Sequence, residues 1–278
     1  MTIGQAYKKI IEALNGDECE QEAAEILRAL TGFEKGTLFL NLDKPFANAE
    51  KLNLILKRRL KGEPLAYILN VRSFYGYDFY VDERCLIPRY DSECGVEYAV
   101  SLIRKRGYKR ILDLCSGSGC LGLSILKCLR EEYGLEAEGD FSDISEGAME
   151  VLIKNAAELL NFEPQTYLGD LYIPNNKKYD LIICNPPYID IEEREDIEEQ
   201  VKDYEPNIAL FAQKEGLVLY PEIAKKAFCG LIDGGTLICE IGSAQKDAVM
   251  RIFEEAGFRD VISGCDLASR DRFISGEK

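Results

Sequence analysis

The segment Lys109 to Leu129 constrains this chain more than any other. A short apolar run ends at Leu114, a glycine-rich turn follows, and then an apolar stretch continues at helical spacing. The turn, within Ile111-Leu-Asp-Leu-Cys-Ser-Gly-Ser-Gly-Cys-Leu-Gly122, carries Gly117, Gly119 and Gly122 in the G-x-G-x-x-G pattern. Glycines there let the backbone turn tightly and come close to a ligand. The pattern then repeats as an alternation. A helix over Asp91 to Lys105 leads into the strand Lys109 to Leu114. Further strands are expected ending at Asp143, over Thr166 to Leu168, over Tyr179 to Cys184 and over Gly235 to Ile241, with two more at the end of the chain. Helices are expected over Ser145 to Leu160, Leu217 to Cys229 and Ala244 to Ala256. Strands and helices in this order predict an α/β fold, a mostly parallel sheet covered by helices on both faces.

The first 72 residues read differently. Ile3, Ala6, Tyr7, Ile10, Ile11 and Leu14 recur at helical spacing up to Gly16, and two more helical segments end at Gly32 and near Gly62. Residues 73–89 are aromatic, partly alternating, and carry Gly76, which predicts a β-hairpin. The expected organisation is a helical bundle over 1–72, a hairpin linker over 73–89 and the α/β domain over 90–278. The acidic stretch 190–206 is expected to form a helix or lid.

Charge and composition narrow the chemistry. Thirty-four basic against forty-nine acidic residues give a formal net charge of -15, which opposes direct nucleic-acid binding. The basic run Lys57, Arg58, Arg59, Lys61 reads as a solvated helix face. The chain has no histidine, and its ten cysteines are scattered without a C-x-x-C pair, so no metal site is expected. Histidine-based acid–base and nucleophile chemistry is excluded as well. No apolar run is long enough to cross a bilayer and the N-terminus lacks a signal-peptide centre, so a soluble, cytoplasmic protein is expected. A monomer is expected as well.

Acidic residues around the glycine loop (Gly117, Ser118, Gly119, Cys120, Leu121) point to its ligand. Asp143, at the end of the next strand, is placed to accept from ribose hydroxyls, and is favoured over nearby Asp140 because the helix-initiating Ser145 follows it. That role fits a dinucleotide as well as S-adenosylmethionine. Asp113, just ahead of the loop, suits the cationic methionine end of S-adenosylmethionine better than a pyrophosphate. Asp170, with Leu171 packing beside it, is placed to accept from an adenine amino group.

Asn185-Pro-Pro-Tyr188 follows the apolar strand 180–184, at the carboxyl edge where open α/β sheets bind ligands. A planar amide or amine nitrogen is a poor nucleophile because its lone pair is delocalised. The side-chain oxygen of Asn185 and the main-chain oxygen of Pro186 can accept from its N–H groups and stabilise the charge it acquires. Pro186 and Pro187 stiffen the segment and supply no competing N–H. Tyr188 offers an aromatic face for stacking. These features predict methyl transfer to a planar nitrogen, with an adenine or guanine amino group in nucleic acid as the alternative acceptor. A nicotinamide-dependent oxidoreductase and a non-catalytic binding protein are the other readings, and the Asn185–Tyr188 motif argues against both.

Further segments follow in order: Gly62-Glu-Pro-Leu-Ala-Tyr-Ile-Leu69, Leu86-Ile-Pro-Arg89 with Glu93, Asp143-Ile-Ser145, Tyr204-Glu-Pro206, Glu240-Ile-Gly242 with Gln245, and Asp271-Arg272. With the motifs above, the chain resembles the PrmC/HemK family of peptide chain release factor N5-glutamine methyltransferases along its whole length. The resemblance implies a Rossmann-like class I S-adenosylmethionine-dependent methyltransferase domain with a seven-stranded sheet. It implies S-adenosylmethionine as cofactor, S-adenosylhomocysteine as product, and as substrate the glutamine of a Gly-Gly-Gln loop in release factors. On this resemblance Gly117, Gly119, Asp143, Asp170 and Asn185 bind the cofactor, and Asn185, Pro186, Pro187 and Tyr188 hold the glutamine amide. Arg89 and the Tyr204-Glu-Pro206 segment, Glu205 in particular, shape or close the pocket, and the N-terminal bundle docks the release factor. Two departures stand out. The family's D-L-G-T-G-S-G has Cys115 and Ser116 in its third and fourth places, so a slightly different turn is expected at Cys115. The usual I-P-R-P-E-T-E is Ile87-Pro-Arg-Tyr-Asp-Ser-Glu93, which loses a proline and keeps the charge pattern.

Overall fold

The protein is described here by a computed structural model covering residues 1–278, the side chain of Lys35 excepted. The chain divides into two units, residues 1–70 with 199–204, and residues 71–198 with 205–278.

The first unit is helical. Its leading helix, Ile3–Leu14, starts at a capping box: Thr2 Oγ1 accepts from the Gln5 N–H, and Gln5 Oε1 accepts from the Thr2 N–H. The helix stops at Asn15, one residue before the expected Gly16, with Asn15 in the left-handed conformation. Helices Cys19–Thr31, Ala49–Arg59 and Leu65–Leu69 follow, and Ile10, Ile26, Leu27 and Leu52 are buried between them. The basic run is partly neutralised within this unit. Arg59 forks onto both carboxylate oxygens of Glu22 at 2.8–3.0 Å, and Arg58 pairs with Glu63. The acidic stretch is ordered into a 3-10 helix, Ile191–Asp196, and the helix Glu199–Tyr204. The latter belongs to the first unit, where Tyr204 donates its hydroxyl to the Lys61 carbonyl.

The second unit opens with a hairpin, β1 (Arg72–Phe74) and β2 (Tyr77–Phe79), turning on Tyr75 and Gly76. Both turn residues have positive φ, the mirror-image turn whose twist matches antiparallel strands. Next come β3 (Arg110–Leu114), β4 (Glu138–Asp143), β5 (Gln165–Leu168), β6 (Tyr179–Cys184), the two-residue strands β7 (Ile189–Asp190) and β8 (Phe211–Ala212), then β9 (Leu231–Glu240), β10 (Arg259–Cys265) and β11 (Asp271–Glu277). The main sheet has seven strands in the order β10-β11-β9-β6-β3-β4-β5. It is parallel from β9 to β5, and β11 runs antiparallel to both its neighbours. β7 and β8 pair separately.

Alternate residues of the central strands enter opposite cores. Ile111, Leu181 and Ile183 pack under the helices Glu93–Arg106, Cys120–Tyr133 and Glu146–Leu160. Leu112, Leu114, Ile182 and Cys184 pack under Tyr220–Gly230 and Lys246–Glu255. Burial on both faces explains why these strands read as continuous apolar runs. The chain winds outward in one direction through β4 and β5 and in the other through β6 and β9. The topological switch therefore lies between β3 and β6, and the crevice at their carboxyl ends is where such sheets take ligands.

Candidate active site

A cavity of about 370 Å³ opens at that crevice, within the usual range for small-molecule sites. The carboxyl ends of β3, β4 and β6 supply one wall through the glycine loop, Asp143 and Asn185. The segment 206–219 supplies another, through Ile208, Phe211 and Val218 among others.

The loop after β3 is set by three left-handed residues, Cys115 (φ 59), Gly117 (φ 53) and Gly119 (φ 79). Cys115 thus holds the conformation that glycine adopts freely, so the turn accommodates the cysteine at a local backbone cost. At Gly119 an added Cβ would lie 2.9 Å from Leu123 and 3.0 Å from Leu152. At Gly122 it would lie 2.6 Å from the Phe141 ring, so this third glycine serves close packing of the helix Cys120–Tyr133 on the sheet.

Asp143 fastens the loop to the start of the next helix. Its Oδ2 accepts from the Gly117 N–H and its Oδ1 from the Ser145 N–H, both at 2.8 Å. Burial pushes its carboxyl above the ordinary range, and those N–H groups pull the other way. Asp140 does not face the cavity; it accepts from Lys177 Nζ and the Tyr179 hydroxyl, each at 2.7 Å. Asp170 lines the cavity beside buried Leu171, which also has a positive φ.

Asp113 lies elsewhere than expected. It does not line the cavity: its Oδ2 accepts from the Gly122 N–H at 2.8 Å, and burial raises its carboxyl well above the usual range. The first turn of a helix has unpaired N–H donors, and Asp113 satisfies one of them. Its Oδ1 is buried and has no hydrogen-bond partner among the described residues.

Ser118, Cys120, Leu121, Asn185, Pro187 and Arg89 line the cavity; Gly119, Pro186, Tyr188 and Glu205 do not. Tyr188 turns its hydroxyl to Glu240 Oε1 at 3.1 Å, and its half-buried ring packs against the core on the β6–β9 side. The expected stacking face is therefore not part of the cavity wall. Glu205 sits behind Arg89. One of its oxygens pairs with Arg89 at 2.5 Å and the other accepts from the Ile87 N–H at 3.0 Å. Both bonds hold the segment 85–89, four residues of which line the cavity, close to its place on the wall.

Two contributors escaped sequence reasoning. Buried Asn155 donates to the carbonyls of Ser118 and Tyr80 and accepts from the Tyr80 N–H, joining the glycine loop to the end of the hairpin. Its signal is legible in hindsight: a polar residue on the apolar stripe Val151, Leu152, Ala156 of its helix. Beyond Pro206, the segment 207–219 carries no comparable signal, because its side chains reach the cavity only through non-local packing.

The site's chemistry is that of an apolar cavity whose wall carries the carboxylates of Asp143 and Asp170 and the side-chain amide of Asn185. Asp143 and Asp170 suit a ligand with hydroxyl and amino donors, and the glycine loop permits close backbone approach. Such a set fits S-adenosylmethionine. Among the described residues no group of three or more acidic, cysteine or histidine side chains could hold a metal ion, and no helix is long and apolar enough to cross a membrane.

Comparison with known proteins bears on the fold and the family. Residues 5–69 match the model of the PrmC N-terminal domain, and residues 92–202 match that of the methyltransferase small domain. The chain is 36% identical over 260 residues to the release factor glutamine methyltransferase of Leptospira interrogans, an alignment covering 90% of this chain and 88% of that one. It is 35% identical over 280 residues to the enzyme of the same name from Clostridium acetobutylicum, covering 97% and 95%. Among solved structures, the hMettl16 catalytic domain shares the fold, with a TM-score of 0.57 at 12% identity over 82% of this chain and 81% of that one.

Proposed function

The chain belongs to the release factor glutamine methyltransferases, and from that premise we propose how its own residues carry out the reaction. It is an enzyme that methylates the side-chain amide nitrogen of a glutamine in a peptide chain release factor, and S-adenosylmethionine supplies the methyl group. The loop Gly117 to Leu121 with Asp143, Asp170 and Leu171 holds the cofactor. Asp113 supports that loop from behind through Gly122.

The acceptor is the glutamine of a Gly-Gly-Gln loop. Asn185 is the observation that carries this reading: it stands on the cavity wall at the carboxyl end of β6, beside the topological switch. Its side-chain oxygen and the main-chain oxygen of Pro186 accept from the two amide N–H groups. That arrangement orients the nitrogen and favours the positive charge it gains, and acceptors fixed in advance need no reorganisation during reaction. The surplus proton leaves to solvent, consistent with a chain that contains no histidine. Arg89, braced by Glu205, shapes the wall that the incoming loop meets. The helical first unit docks the body of the release factor, and the protein works in the cytoplasm without direct nucleic-acid contact, in keeping with a net charge of -15.

The test is transfer of labelled methyl from S-adenosylmethionine to a purified release factor, beside that factor's Gln→Ala variant at the Gly-Gly-Gln loop. Label should appear on the native factor alone and fall by about 100-fold or more with the Asn185→Ala enzyme. Equal labelling of both factors would rule out that glutamine as the acceptor.

A further inference from the structure

Tyr188, the last residue of the acceptor turn, is held at both ends by one corner of the sheet. Its hydroxyl donates to Glu240 Oε1 at 3.1 Å, and its carbonyl accepts from Gln245 Nε2 at 2.9 Å. Glu240 ends β9, and Gln245 immediately precedes the helix Lys246–Glu255. Both side chains are anchored in turn. Gln245 Nε2 also donates to the Glu215 carbonyl, and its Oε1 accepts from the Gly242 N–H, both at 2.9 Å. The main-chain oxygen of Glu240 accepts from the buried Tyr220 hydroxyl at 2.9 Å. Gly216, at φ 74, closes over the Tyr188 carbonyl so tightly that an added Cβ would lie 1.9 Å from its oxygen.

These contacts converge on a residue that does not line the cavity, and they use no atom of Asn185 or Pro186. Proline rings stiffen the turn internally, and β6 holds its first residue, Asn185, to the sheet; the Glu240–Gln245 corner ties its last residue, Tyr188, to the same sheet. We propose that Glu240 and Gln245 are positioning residues for methyl transfer: by fixing Tyr188 at its hydroxyl and its carbonyl, they set where Asn185 and Pro186 place the acceptor amide. The proposal rests on the reading of Asn185 and Pro186 as the amide acceptors. Asp143 and Asp170 lie at the ends of β4 and β5, on the far side of β3 from this corner, so the cofactor contacts assigned to them and to the glycine loop do not pass through it.

Three variants test the clamp, each measured for S-adenosylmethionine affinity by calorimetry, for melting temperature, and for kcat and KM on a purified release factor. Gln245→Glu keeps an acceptor for the Gly242 N–H and loses both donated bonds. Glu240→Ala removes the acceptor for the Tyr188 hydroxyl, and Glu240→Gln restores it. Gln245→Glu and Glu240→Ala should each lower kcat by about 10- to 100-fold, with cofactor affinity within about threefold of wild type. Glu240→Gln should recover most of the rate. Wild-type kcat in Gln245→Glu and Glu240→Ala would overturn the proposal, and so would rate and cofactor affinity falling together in both. Failure of Glu240→Gln to exceed Glu240→Ala would overturn the part assigned to Glu240. If Gln245→Glu does not fold, the Glu240 pair decides alone. A wild-type chain that binds the cofactor and labels no release factor would instead remove the functional reading on which the clamp depends.

Discussion

Asn155 Nδ2 lies 2.9 Å from the carbonyl oxygen of Ser118, so a buried side chain from the helix Glu146–Leu160 holds the middle of the glycine loop. The same amide makes two bonds to the Tyr80 backbone, at 3.0 and 2.7 Å. Replacing it with leucine leaves the buried Ser118 carbonyl and the part-buried Tyr80 groups without this partner. Asn155→Leu should therefore destabilise the protein by about 2–4 kcal/mol, since each stranded group costs about 1–3 kcal/mol. S-adenosylmethionine should also bind more weakly, because Ser118 lines the cavity. Urea unfolding and calorimetric titration check the two effects separately.

Cys115 occupies the left-handed region at φ 59, where a side chain costs about 1–2 kcal/mol and glycine costs almost nothing. Glycine gives back part of that gain through the greater freedom of the unfolded chain, about 0.5–1 kcal/mol. Cys115→Gly should thus hold stability within about 1 kcal/mol of wild type and keep cofactor affinity. Cys115→Val, branched at Cβ, should lose about 2 kcal/mol or more. Equal stability of the two variants would show that the backbone conformation does not govern this position.

The Glu205 side chain is 1% exposed while its partner Arg89 is 33% exposed. Removing the carboxylate strands the buried Ile87 N–H and unties Arg89 from behind the cavity wall. Glu205→Ala should cost about 2–3 kcal/mol, at or below the lower end for broken buried pairs because Arg89 can still reach water. Glu205→Gln should cost about half as much, since an amide oxygen can still accept from Ile87. Denaturant midpoints of the two variants give the comparison directly.

Features that depend on local pattern were legible in the sequence. β3 and β6 announce themselves because burial on both faces makes them continuous apolar runs; the aromatic alternation around Gly76 marks the hairpin, which ends at Phe79, while residues 80–89 of the expected hairpin form no strand. The crevice followed from these strands and the glycine loop. Roles that depend on which way a side chain leaves the backbone were not legible. Asp113 reads as a ligand contact and instead satisfies the Gly122 N–H, while Tyr188 reads as a stacking face and instead points its hydroxyl at Glu240. Neither choice is encoded in spacing. Both follow from packing between segments far apart in the chain, as does the placing of β11 between β9 and β10.

Glu240 is a buried carboxylate whose ionised form the fold tolerates at a cost. Burial raises its pKa above the ordinary 4.5, and Arg272 and the Tyr188 hydroxyl offset part of that rise. A raised carboxylate pKa means that the folded state holds its proton more tightly than the unfolded state. Its contribution to stability is therefore full below the unfolded value and is lost as pH climbs through the folded one. Glu240→Gln removes this term and keeps an oxygen for Tyr188. The melting temperature of Glu240→Gln should gain on wild type as pH rises from the ordinary glutamate value through the raised one, then hold a constant lead. A difference that does not vary with pH would mean that Glu240 ionises in the fold as easily as in water, with Arg272 and its neighbours compensating fully for its burial.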